Sequence, residues 1–264
     1  RELDGHDAAP CAAGHGSSAS SAARGRTIRT MRPVIGITAD NRDNTAASGR
    51  YESPLTYSRA VARAGGVPVI LPHAADLAGE YVQRLDGLVL TGGVDPRTEA
   101  FGEPTHPRAR PIDPARQAFE LALLDVAERR PDLPVLGVCL GMQLMALFHG
   151  GRLHQYLPDV LEKPEAHQHD ARHNITLHAE GTALGVTAAQ AGALEVVSYH
   201  QQAVADAGRL RVAATAADGV IEAIDAPGRP FYLGVQWHPE RGGDDALSLG
   251  LYRRLVGACP RTRG

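Results

Sequence analysis

The chain has 264 residues, enough for one α/β domain with a large core, and 43% of them are hydrophobic. A net charge of −3 excludes the strong positive field that draws a protein to nucleic acid or an acidic membrane. Three cysteines, Cys11, Cys139 and Cys259, are too few for a disulfide framework, and no stretch reaches the roughly 20 apolar residues that span a bilayer. With no charged-then-apolar order at the N-terminus, the expectation is a soluble, cytoplasmic protein.

Residues 1–30 are rich in Ala, Gly, Ser and Arg, with Leu3 and Ile28 the only large aliphatics. Such a stretch buries too little apolar surface to offset its ordering entropy. It is expected to be a disordered extension before one domain over residues 31–259, with 260–264 a short tail. The apolar run at 33–39 predicts a first strand, followed by a polar loop at 40–51 of binding-site length. Ser53-Pro54 forms an N-cap and first-turn pair for a helix to Ala64, closed by Gly65-Gly66. Residues 67–71 form a second strand, Asp76 caps a helix through Leu85, and residues 87–90 form a third strand ending at Thr91-Gly92-Gly93. Asp113-Pro114 opens a helix over 115–130. The short apolar run at 135–138 predicts a buried parallel strand. A helix over 140–149 follows, with Leu144, Met145, Leu147 and Phe148 at helical spacing and a stop at Gly150-Gly151.

Alternating strands and helices predict an α/β fold with a flavodoxin-like, doubly wound, mainly parallel sheet and flanking helices. Ligands of such sheets bind beyond the C-terminal strand ends. Five β-like pieces follow, at 173–177, 194–197, 210–215, 220–224 and 231–236. They suggest a small antiparallel extension, and a helix over 244–256 closes the chain.

Between the strand at 135–138 and its helix lies Gly137-Val138-Cys139-Leu140-Gly141, a nucleophile-elbow pattern with cysteine in place of serine. Its glycines permit a sharp turn that lifts the Cys139 sulfur out of the core. The helix N-terminus then favours a thiolate there. A nucleophilic cysteine needs a base, and the base needs an orienting group. His238 ends an apolar run, and Glu240 lies two residues on, stiffened by Pro239. With twelve histidines in the chain, this pairing is open from sequence alone. Glu222 and Asp225, on a neighbouring predicted strand, are alternative acids. His167, His169 and His173 suggest a metal cluster, but no cysteine or ordered ligand spacing joins them. A solvated loop is expected there instead, with no metal.

Four motifs carry a resemblance: L-T-G-G at 90–93, G-V-C-L-G-M-Q at 137–143, S-Y-H-Q-Q-A-V at 198–204 and G-V-Q-W-H-P-E at 234–240. Together they resemble a class I glutamine amidotransferase-like domain, and within it the gamma-glutamyl-gamma-aminobutyrate hydrolase (peptidase C26-like) family. A-G-G-V-P-V-I-L-P at 64–72, F-G-E-P at 101–104 and G-G-R-L-H-Q-Y-L-P at 150–158 are similar to that family too. The likeness runs from Met31 to Val256. It implies a triad of Cys139, His238 and Glu240, and an oxyanion hole from backbone N–H groups of Gly93 (or Gly92) and Leu140. It also implies glutamyl binding by Gln143, with Ser198, Tyr199 and His200 in the segment walling the same pocket.

The implied activity is hydrolysis of γ-glutamyl amides, such as γ-glutamyl-GABA in polyamine catabolism, through a γ-glutamyl thioester and without a cofactor. The implied partner is the small-molecule amide, with neither nucleic acid nor membrane, and the chain could pair with itself as a homodimer. The alternatives are a glutaminase subunit passing ammonia to a separate synthase, or a non-catalytic binding protein on the same fold. Three positions depart from the family pattern. Leu140 stands where its hydrolases usually have Arg, as in synthase-linked amidotransferases. Gln117 stands where Asp is usual. The loop V-D-P-R-T-E-A-F-G after Gly93 lacks one of the family's acidic residues.

Overall fold

In a computed structural model, residues 31–42, 49–178, 182–185 and 194–260 are described. The expectations for residues 1–30 and for the last four residues lie outside these. Four strands of the first half, β1 (Val34–Thr38), β4 (Val67–Leu71), β5 (Gly87–Leu90) and β6 (Val135–Val138), form one parallel sheet with β13 (Tyr232–Val235), which pairs with β6. Their order β4-β1-β5-β6-β13 is the flavodoxin-like 2-1-3-4-5 arrangement. The sheet continues antiparallel through β12 (Ile221–Asp225), β11 (Arg211–Ala216), β8 (Ala171–Leu177) and β9 (Leu194–Ser198).

The inner parallel strands β5, β6 and β13 are buried throughout because helices cover both of their faces, while Val67, Val69 and Ile70 of the edge strand β4 are exposed. In β5, Leu88 and Leu90 point to one face and Val89 to the other, as a period of two requires. The first face packs on α2 (Ala78–Arg84), α3 (Pro114–Glu128) and α4 (Leu140–Phe148), through side chains such as Val82, Phe119 and Leu144. The second packs on α1 (Leu55–Arg63) and α5 (Leu249–Gly257), through Val61, Leu251 and Leu255. None of the described helices is long and apolar enough to cross a membrane.

Several element ends differ from the sequence reading. The expected loop at 40–51 begins and ends as a hairpin, β2 (Asp40–Arg42) on β3 (Arg50–Glu52). Pro54, not Ser53, occupies the N-cap of α1, and no side chain caps it. Asp76 falls within a 3₁₀ turn, Ala75–Leu77, ahead of α2 and caps nothing. Asp113 does cap α3, its carboxylate accepting from Ala115 N. The last helix begins at Leu249 rather than 244. Two further short strands were not anticipated, β7 (Arg152–His154) and β10 (Ala203–Asp206), which pair with each other. At three and four residues, neither is long enough to show a period.

The contact of α4 with the sheet is unusually close. A Cβ added at Gly141 would lie 2.4 Å from the Leu90 carbonyl oxygen, which belongs to a buried strand and cannot yield. Gly141→Ala is expected to cost about 1–3 kcal/mol through overpacking and to lower Tm in thermal denaturation. At Gly79 in α2 nothing lies within 4 Å of the added atom, so Gly79→Ala should leave Tm unchanged or raised. Equal behaviour of the two variants would show that this contact is dispensable.

Candidate active site

Cys139 joins β6 to α4 with φ 51° and ψ −104°, a left-handed conformation costly for any residue with a side chain. Such backbone strain typically costs about 1–3 kcal/mol and persists only where the surroundings impose it. Here the Cys139 N–H donates to Val235 O at 2.8 Å. The flanking glycines are needed for space. A Cβ at Gly137 would meet Met145 Sδ at 2.3 Å and the Gly141 backbone at 2.8 Å.

β13 runs beside β6 with Val235 opposite Val138, so the residues just beyond the two strands emerge as neighbours. That register brings His238 to Cys139. His238 Nδ1 lies 2.7 Å from Glu240 Oε1, with both side chains buried. Burial alone would depress the His238 pKa. Hydrogen bonds to Cys139 and Glu240, and the negative charge of both, outweigh it and raise the value to about 9. Neither alternative acid takes this place. Asp225 is held in a two-bond pair with Arg211 at 2.7 and 2.8 Å, and Glu222 lies against His167, His173 and His200.

The loop after β5 closes the third side. A Cβ at Gly92 would approach His238 Cε1 to 2.8 Å and Cys139 Cβ to 3.6 Å. Gly92 N–H donates to the Tyr57 hydroxyl at 2.9 Å. Arg116, fully buried on α3, holds this loop from behind. Its Nη2 donates to Thr91 O at 3.2 Å, Thr91 Oγ1 at 3.0 Å and Gly92 O at 3.0 Å. Its charge is met by Glu120 at 2.8 Å and Asp40 at 3.1 Å. Sequence reasoning gave Arg116 no role in the site. The available signal was an arginine four residues before a glutamate on the apolar face of α3.

The pocket at Cys139 has a volume of about 280 Å³ and is lined by Gly93, Gln143, Tyr199 and His200 among others. Gln143 Nε2 donates to Gln202 O and Gln236 Oε1, each at 3.2 Å, so its amide is locked in the wall. Ser198 does not line the pocket. It is fully buried at the end of β9, within the sheet. Two charged lining residues went unremarked in the sequence, Asp95 and Arg110. Burial above all raises the Asp95 pKa, while its carboxylate accepts from Arg110 N at 2.7 Å. Gln117, in place of the family's Asp, joins Arg97 N at 2.8 Å and Arg97 O at 2.9 Å. Leu140, in place of Arg, packs against Gly93.

The three histidines do not share a solvated loop. His167 is 1% exposed and faces His173, whereas His169 lines the pocket. The three-residue register of the sequence concealed this, because Glu222, some 50 positions on, completes the group.

A parallel sheet of this order, with a cysteine elbow at its centre, is that of a class I glutamine amidotransferase-like domain. The glutaminase domain of Trypanosoma brucei CTPS, solved with bound acivicin, superposes with a TM-score of 0.60 at 16% identity, over 86% of this chain and 93% of that one. The chain belongs to the peptidase C26 family, whose profile matches residues 33–240. It is a glutamine amidotransferase-like hydrolase. A Mycobacterium tuberculosis protein provisionally named a glutamine amidotransferase is 39% identical over 88% of this chain and 76% of its own length. The gamma-glutamyl-gamma-aminobutyrate hydrolase of Escherichia coli (strain K12) is 34% identical over 86% of this chain and 93% of its own.

The two described cysteines should differ in reactivity. Cys259 is buried, its Sγ donates to Leu255 O at 3.3 Å, and burial pushes its pKa up to about 12. Cys139 lines the pocket beside His238. Iodoacetamide at neutral pH is expected to modify Cys139 and spare Cys259, as read by peptide mass spectrometry. Equal labelling of the two would count against a reactive Cys139.

Proposed function

We propose that this protein hydrolyses γ-glutamyl amides with Cys139 as nucleophile, His238 as acid and base, and Glu240 as the group that orients His238. The observation that carries this is the Cys139–His238–Glu240 line at the mouth of a pocket holding Asp95 and Arg110. A γ-glutamyl amide presents an α-ammonium and an α-carboxylate on one carbon. Asp95 suits the first and Arg110 the second, which places the γ-carbonyl toward Cys139.

His238 takes the Cys139 proton, and the sulfur attacks the γ-carbonyl carbon. The oxygen that becomes negative is met by the N–H of Gly93 and of Leu140. Leu140 opens α4, so its N–H has no partner within the helix. Tyr57 occupies the Gly92 N–H, which favours Gly93 as the second donor. Each such donor typically contributes about 3–4 kcal/mol in the transition state. Protonated His238 then passes its proton to the departing amine as the C–N bond breaks, leaving a thioester. In the second half His238 deprotonates water, which attacks the thioester carbon. Glutamate leaves, and the thiol is restored.

The purified protein is expected to release the amine from γ-glutamyl-GABA or a related γ-glutamyl amine, with little turnover of free glutamine. Leu140, the residue that synthase-linked amidotransferases carry, favours a second reading as a glutaminase subunit. Glutamine hydrolysis that appears only with a synthase partner, and no cleavage across a panel of γ-glutamyl amines, would replace the first reading with the second.

His238→Ala removes the proton carrier and should approach the inactivity of Cys139→Ala. Glu240→Gln keeps the ring in place and should lose about 10²–10⁴ in kcat/KM. The pH profile distinguishes orientation from mere packing. Because the His238 pKa is raised to about 9, the imidazolium needed by the leaving amine persists through neutral pH and is lost above that value. Removing the Glu240 charge takes away part of that elevation. The alkaline limb should therefore move to lower pH in Glu240→Gln, and an unmoved limb would remove Glu240 from the mechanism.

A further inference from the structure

Beside the pocket at Cys139, whose lining includes His200, three imidazoles lie around one carboxylate. His167 Nδ1, His173 Nε2 and His200 Nε2 lie 3.2, 3.1 and 3.6 Å from Glu222 Oε1. Glu222 is fully buried and His167 1% exposed. Yet these three nitrogens and both carboxylate oxygens have no hydrogen-bond partner. His200 stands beyond hydrogen-bond distance of the carboxylate, and the two nearer imidazoles form no hydrogen bond to it. Unmet polar atoms buried in this number are costly, typically about 1–3 kcal/mol each.

The other nitrogen of every ring is engaged. His167 Nε2 meets Asp218 Oδ2 at 2.9 Å, His173 Nδ1 meets Ala166 O at 3.2 Å, and His200 Nδ1 meets Gln202 O at 2.8 Å. A carboxylate or carbonyl behind each imidazole is the arrangement that fixes the tautomer of metal-ligating histidines. It leaves the inward nitrogen of each ring as a bare lone pair. Tetrahedral bonds of about 2.0–2.1 Å place neighbouring ligand atoms roughly 3.3 Å apart, close to the 3.2 and 3.1 Å that separate His167 and His173 from Glu222. These three ligand atoms all lie within 4.8 Å of one another.

We propose that His167, His173 and Glu222 form a structural zinc site. Two imidazoles and a carboxylate suit zinc, and a water would complete the four-coordinate shell. The group joins the Pro164–His167 turn and β8 to β12, and His200, on the segment after β9, stands 3.6 Å from the shared carboxylate. Gln168, His169, Tyr199 and Gln201, carried on those same segments, wall the pocket. The ion would thus hold the wall, and it is independent of how Cys139 is used.

The test uses the full chain, stripped with chelator and dialysed, then titrated with zinc or cobalt(II) at neutral pH. Expected are one equivalent of zinc bound, a higher Tm on adding it, and the intense visible bands of tetrahedral cobalt(II). Glu222→Gln and His173→Ala should abolish the bands. Asp218→Asn, a milder change to the partner of His167, should weaken binding by about 10–100-fold with the fold retained. Failure of the stripped wild-type chain to bind either ion, or equal binding by wild type and Glu222→Gln, overturns the proposal. So does a Tm indifferent to zinc.

Discussion

Cys139 leaves β6 and enters α4 in a backbone conformation that its own side chain resists, and every other part of the pocket is arranged around that turn. The strain holds because its surroundings are rigid on three sides. Val235 takes the Cys139 N–H, Leu90 blocks the space behind Gly141, and Met145 fills the space behind Gly137. Relaxing φ at Cys139 would require α4 to lift from two apolar strands buried on both faces. The lost burial would outweigh the strain, at about 25 cal/mol per Å² of apolar surface.

Parallel pairing delivers the remaining groups to that turn. β5, β6 and β13 are adjacent, and all three end at the same edge of the sheet. The backbone after β5 and the imidazole after β13 therefore arrive within a few ångström of the sulfur, from opposite sides. Each is supported from behind by a buried charge. Arg116 grips the carbonyls of Thr91 and Gly92, and Glu240 grips His238. Burial makes these charges expensive to isolate and keeps each bound to its partner.

The antiparallel wing contributes differently. It carries no group to the reacting sulfur, but it places Tyr199, His200 and Gln201 opposite it. It also gathers the histidine cluster around Glu222 beneath that wall. The pocket is therefore half parallel sheet and half wing. Its rigidity depends on how firmly the second half is tied to β12.

Local pattern sufficed for the parallel half. Apolar runs of four or five residues marked β1, β4, β5 and β6, Asp113-Pro114 marked the start of α3, and Gly-x-Cys-x-Gly marked the turn at Cys139. The grouping of Cys139 with His238 and Glu240 was carried by the family resemblance, since twelve histidines left it open from the residues alone, and the parallel pairing of β6 with β13 is what brings the two strand ends together. Strands β7 and β10 were not legible, since their three or four residues gain their character only from the strands they pair with, each other and β12. Ser198 was placed in the pocket by its neighbours in sequence and removed from it by the sheet. The role of Arg116 and the company of Glu222 lay beyond reach for one reason. Both depend on side chains some 20 to 55 residues apart meeting in a dry interior. Spacing along the chain determines which elements form, and only burial decides which polar groups must find one another.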